Sequence, residues 1–138
     1  MFALYTPESA NKALPDVRRI FNRIVDENKR VILLHNELQS IIESGSKFDL
    51  FLKKKAEINS SMKALYSAIE ELEGKGVLIK SIEQGLVDFP SVRFGEEVWL
   101  CWKSGEESVK FWHGKDEGFM GRKPLGNSGY SDDLEKLR

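Results

Sequence analysis

From Val17 onward the apolar positions recur at steps of three and four: Val17, Ile20, Ile24, Val31, Leu34, Leu38 and Ile41, with Glu27 the single charged exception. Such a step places the residues on one stripe of an α-helix, here a heptad seam. A neighbouring stripe of Phe21, Asn28, His35 and Ile42 predicts a wider buried face. Ser44-Gly45-Ser46 interrupts the pattern, which resumes at Phe48, Phe51, Ile58, Met62, Leu65, Ile69 and Leu72, with Lys55 out of step, until Gly74-Lys75-Gly76. Two helices of about 27 to 30 residues joined by so short a turn must pack antiparallel.

The helical start is spelled by Thr6-Pro7-Glu8. Thr6 can accept from free backbone N–H groups, and Pro7 surrenders a donor that has no partner in the first turn. Pro15 disfavours helical geometry at Leu14, so a short helix over Pro7 to Ala13 and a bend into the longer one are expected. Ahead of it, Phe2 to Tyr5 reads as an edge strand.

Near Gly76 the period changes to alternation. Val77–Ile82, Leu86–Val92, Val98–Trp102 and Val109–His113 read as strands, with turns at Phe94-Gly95-Glu96 and Ser104-Gly105-Glu106, which predicts a meander. Pro90 cannot donate to a ladder, so its strand should be an edge or irregular there. The glycine-rich stretch Gly114 to Leu125 closes the pattern, and Gly126 to Arg138 reads as a weakly ordered tail with a terminal turn near Asp132 to Leu137.

A chain of 138 residues can bury one core without disulfides or metal. With 21 basic and 22 acidic side chains the net charge is −1, which supplies no global field for nucleic acid or an anionic membrane. Lys53-Lys54-Lys55 reads as a solvated helical face and is also the best candidate for a phosphate contact. Cys101 has no second cysteine to pair with, and between Leu100 and Trp102 it reads as a small buried hydrophobe. No stretch approaches the roughly 20 apolar residues of a membrane span. A cytoplasmic location is expected.

Candidate chemistry is concentrated late in the chain. Alternation along Val98 to Lys103 leaves both faces of that strand apolar, so beyond the face packed on the hairpin a cover is needed: the Gly118 to Leu125 segment, a second subunit or a ligand. Trp102 belongs to that surface. His113, Asp116, Glu117 and Arg122 place an imidazole, two carboxylates and a guanidinium within ten residues, enough for acid–base work or for stapling a loop. Asp88, between Val87 and Phe89, needs a buried donor such as Arg93, Arg122 or a tryptophan N–H. His113 and Asp88 are expected to share one polar site with Arg122 as their charge partner. A closed structural zinc centre is not expected, because Cys101, His113 and the distant His35 are the only soft donors. Phosphate loops, dinucleotide fingerprints, nucleophile elbows and Cys-x-x-Cys pairs are missing, and no cofactor is indicated.

Tyr5-Thr6-Pro7-Glu8-Ser9-Ala10, Leu14-Pro15, Gly85-Leu86-Val87-Asp88-Phe89-Pro90, Leu100-Cys101-Trp102, Trp112-His113 and Gly118 through Leu125 together resemble a prokaryotic family, domain of unknown function 2203. Met120 is a mild departure from its pattern. The resemblance implies no activity, cofactor or catalytic residue.

The sequence therefore predicts an α+β fold: a long antiparallel helical hairpin packed with a small antiparallel sheet of about four strands. Residues 1–125 would form a single domain, mainly hairpin over 1–75 and β-meander with closing loop over 76–125. The leading functional reading is a non-enzymatic, self-associating interaction domain, a homodimer without membrane or nucleic-acid partners. The alternative is a small enzyme or a metal- or ligand-binding domain around Asp88, Trp102, His113, Asp116, Glu117 and Arg122.

Overall fold

The computed structural model describes residues 4–126. It contains α1 (Pro7–Glu43), α2 (Phe48–Glu73), β1 (Leu78–Ser81), β2 (Leu86–Arg93), β3 (Glu96–Lys103), β4 (Phe111–Gly114), a 3-10 turn (Phe119–Gly121) and β5 (Lys123–Pro124). The five strands form one antiparallel sheet in chain order, a meander. The chain is thus α+β, a helical hairpin with an antiparallel sheet. No helix among the described residues is long and apolar enough to cross a membrane.

Thr6 caps α1 as its sequence requires: Ser9 N–H donates to Thr6 Oγ1 at 3.0 Å and Thr6 N–H to Ser9 Oγ at 2.8 Å, a reciprocal box. The expected break at Pro15 does not occur, and α1 runs through it. Pro15 is exposed, whereas Ala10, Leu14 and Val17 are buried at helical spacing on either side of it. Keeping these on one face offsets one lost backbone bond, since burying a Leu or Val contributes about 1.5–3 kcal/mol each. Leu4 and Tyr5 form no strand; Tyr5 N–H instead donates to Pro90 O at 2.7 Å. The proposed tail turn lies outside the described residues.

The chain divides into two compact units: one comprises the chain up to Arg18 and from Leu72 onward, the other Arg19–Glu71. In the second, Leu34, Leu38 and Ile58 form a buried cluster with Phe51 and Met62 packed against it. Both charged exceptions keep out of this cluster: Glu27 accepts from Ser61 Oγ at 3.4 Å, and Lys55 is exposed. The anticipated wide face narrows here, because His35 and Ile42 are exposed. A single opposing helix covers only a seam, not the stripe beside it.

In the first unit, the β2–β3 hairpin turns on Phe94 (φ 56°) and Gly95 (φ 76°). Two successive left-handed residues make the tight turn whose twist matches antiparallel strands. Pairing Arg93 with Glu96 sets the remaining register, so Asp88 faces Cys101 and Pro90 faces Trp99. The carbonyl of Pro90 points to Tyr5, on the side where β1 has already ended, so its missing N–H costs no ladder bond.

Val87, Phe89, Val98, Leu100 and Trp102 share one buried face. The first turns of α1 are tied to it and to the β3–β4 connection. Tyr5 meets Phe89 edge-on at 5.1 Å, Arg18 lies 5.9 Å over Trp102, and the Asn11 amide exchanges two bonds with the Val109 backbone.

The other face carries Asp88, Trp99, Cys101, Phe111 and His113. The closing segment covers part of it: the Arg122 guanidinium stacks 3.8 Å over Phe111 and 4.7 Å from Phe119, and Lys103 lies 5.2 Å over Phe119. Returning antiparallel to β4, the chain adds β5 as a fifth, short strand.

Candidate functional site

Register brings three polar side chains of three adjacent strands together on this covered face. Asp88 on β2 stands opposite Cys101 on β3. Because Trp99 pairs with His113 and Cys101 with Phe111, His113 on β4 is the diagonal neighbour of Cys101. Its ring reaches across β3 until Nε2 lies 3.2 Å from both Asp88 carboxylate oxygens. Asp88, Cys101 and His113 expose 0%, 1% and 1% of their surface, so the group is closed to solvent.

The protons follow from the partners. Gly114 O lies 3.0 Å from His113 Nδ1 and can only accept, so Nδ1 carries hydrogen. One further proton lies between Nε2 and the Asp88 carboxylate, held by either. Burial pushes the Asp88 carboxyl above the usual carboxylate range, opposed by the His113 charge, the hydrogen bond to His113, the Lys80 charge and the hydrogen bond to Cys101. Burial, followed by the Asp88 charge, pushes the Cys101 thiol up to about 12. One ligating atom of each residue lies within 4.8 Å of the other two.

A thiol so held is a poor nucleophile. Native protein at pH 8 is therefore expected to leave an aromatic disulfide reagent unreacted over hours and to titrate one thiol immediately in denaturant. Rapid reaction of the folded chain would show that Cys101 is accessible and ionised.

The remaining candidates do other things. Trp102 lies on the opposite face, where its Nε1–H donates to Glu106 O at 2.9 Å. Arg122 does not pair with Asp88 and His113; its Nη2 donates to both oxygens of Glu106 at 2.8 Å. Pairing of β5 with β4 sets the closing segment down beside Phe111, where Glu106 of the β3–β4 turn is the carboxylate at hand. Glu117 staples the loop: it accepts from Gly114 N–H and Lys123 Nζ, both at 2.8 Å. These bonds, Lys123 first, hold its carboxyl below the usual range. A Cβ at Gly114 would come within 2.9 Å of that carboxylate, and one at Gly121 within 3.0 Å, so a side chain at either position would push the Glu117 carboxylate out of its present place. Asp116 is exposed in the same turn, and Met120 is 94% exposed. In the Lys53–Lys55 run, Lys54 is taken by Glu37 at 3.1 Å and Glu57 at 3.6 Å.

Sequence reasoning missed Cys101 as a member of the polar group. The sequence placed a turn at Phe94-Gly95-Glu96 without fixing its length; the two-residue loop at Phe94-Gly95, which sets Asp88 against Cys101, came from the structure. Lys80, on β1, was also missed; its Nζ lies 5.7 Å over Trp99 and its charge acts on Asp88.

A second candidate surface lies on the hairpin unit. Phe48 and Leu52, one turn apart on α2, are 68% and 50% exposed, while Tyr66, 55% exposed on the same side, is separated from them by the exposed Lys55, Asn59 and Lys63. Ile42, 53% exposed, joins Phe48 across a groove of about 340 Å³ lined by Ile41, Ile42, Ser46, Phe48 and Phe51. The Phe48 and Phe51 rings stack at 5.9 Å.

Fold and site define an α+β chain in which a meander encloses an Asp–Cys–His group and a helical hairpin leaves several large apolar side chains exposed. The chain belongs to the family described as Uncharacterized conserved protein (DUF2203), which matches residues 3–125. No curated protein and no solved structure matches it.

Proposed function

We propose that this chain is a non-enzymatic interaction domain that self-associates through its hairpin. The observation that carries the reading is the apolar patch of Ile42, Phe48 and Leu52 at the turn end of the hairpin, each half or more exposed. Isolated apolar residues on a surface are ordinary, but a contiguous group of them marks a contact. A second copy supplies a matching patch by two-fold symmetry. Catalysis at the sheet is the weaker reading, because burial of Asp88, Cys101 and His113 leaves no side open to a substrate.

Multi-angle light scattering at micromolar concentration is expected to give twice the 15.8 kDa chain mass. Phe48→Lys with Leu52→Glu should halve that mass while leaving the circular dichroism unchanged. A wild-type particle of single-chain mass at every concentration up to 100-fold higher would sink the proposal.

A further inference from the structure

We propose that Asp88, Cys101 and His113 bind one divalent cation of borderline softness, of the zinc class, on the covered face of the sheet. The inference goes beyond self-association and does not depend on it.

Geometry carries the argument. In a tetrahedral zinc site, metal–nitrogen and metal–oxygen bonds of about 2.0–2.2 Å place the nitrogen and oxygen about 3.3–3.5 Å apart. His113 Nε2 and the Asp88 oxygens are already 3.2 Å apart. A sulfur ligand at about 2.3 Å needs roughly 3.6 Å to each of the others. The donor atoms lie within 4.8 Å of one another, so the sulfur has at most about 1.2 Å to travel, within the swing of one Cys101 side-chain torsion.

The imidazole is also prepared. Metal-bound histidines usually donate their second ring N–H to a carbonyl or carboxylate, which fixes the tautomer and aims the other nitrogen at the ion. Gly114 O takes the Nδ1–H of His113 and leaves Nε2 facing Asp88 and Cys101. A proton already sits between Nε2 and the carboxylate. The cation replaces it and also displaces the thiol proton, both going to solvent. Two positive charges then meet one carboxylate and one thiolate beside a neutral imidazole, so the buried assembly is electrically neutral.

Thiolate and imidazole select against magnesium and calcium, which take oxygen ligands. The scarcity of soft donors excludes a four-residue cysteine and histidine centre, but both Asp88 oxygens lie 3.2 Å from His113 Nε2, so a bidentate carboxylate with Cys101 and His113 supplies four donor atoms without water. Here the only cysteine of the chain stands directly opposite the carboxylate.

Cobalt titration of the full chain, freed of metal by chelator and dialysis, reads the site directly. Cobalt(II) is expected to bind at one ion per chain, with strong visible ligand-field bands of tetrahedral geometry and a near-ultraviolet thiolate charge-transfer band. Zinc should displace it and raise the melting temperature, and magnesium should do neither. Cys101→Ala, a small replacement expected to keep the fold by circular dichroism, should abolish the charge-transfer band. It should also weaken cobalt binding by more than the roughly 10- to 100-fold that loss of an outer partner costs. Asp88→Asn should weaken binding without removing the band. Folded wild-type protein that shows no charge-transfer band at saturating cobalt, or folded Cys101→Ala that retains it, would overturn the assignment.

Discussion

Asp88→Ala is expected to destabilise the metal-free protein by about 3 kcal/mol, between the cost of leaving a neutral buried group unsatisfied and that of stranding a charge. The carboxylate is the protein partner of His113 Nε2, and both residues are at most 1% exposed. Water cannot take its place without opening the sheet. Asp88→Asn keeps a polar group that can face Nε2 and should cost only about 1 kcal/mol. In a double-mutant cycle, Asp88→Ala combined with His113→Ala should cost less than the sum of the two by at least about 1 kcal/mol. Urea unfolding in the presence of chelator measures all four proteins. An Asp88→Ala stability within about 0.5 kcal/mol of the parent would show that the pair contributes nothing to the fold.

Leu38→Asp has a comparable effect on the other unit. Leu38 packs with Leu34 and Ile58, and Phe51 and Met62 lie against them. Removing the leucine forfeits about 1.5–3 kcal/mol of burial, and the carboxylate adds a desolvation cost. The total, about 3 kcal/mol or more, corresponds to a fall in melting temperature of roughly 10 °C. Circular dichroism on heating decides it. A melting temperature within a degree or two of the parent would mean that this position is not in a packed seam.

Hydrophobic periodicity is a local property, and it was sufficient for the hairpin, the strand order and the turns. The seam through Leu34 and Leu38, the cap at Thr6 and a turn around Phe94-Gly95-Glu96 all follow from residues within one or two turns of each other. The length of that turn, and with it the pairing of Asp88 with Cys101, was not legible, because a non-glycine residue, Phe94, takes the left-handed position. What local pattern could not decide was the outcome of competition. A proline that breaks a helix in isolation is carried through when Ala10, Leu14 and Val17 are all buried on one side. His35 and Ile42 fit a buried stripe but stay exposed, because only the packing of the second helix determines how wide the seam becomes. Arg122 had several carboxylates to choose from along the chain. It pairs with Glu106 because β5 returns beside β4, a non-local placement that no spacing encodes. The Asp–Cys–His group lies between these limits: its residue types and the meander that carries them are written in the sequence. The reach of the His113 ring across a whole strand, and the closure that buries all three, exist only once five strands are assembled.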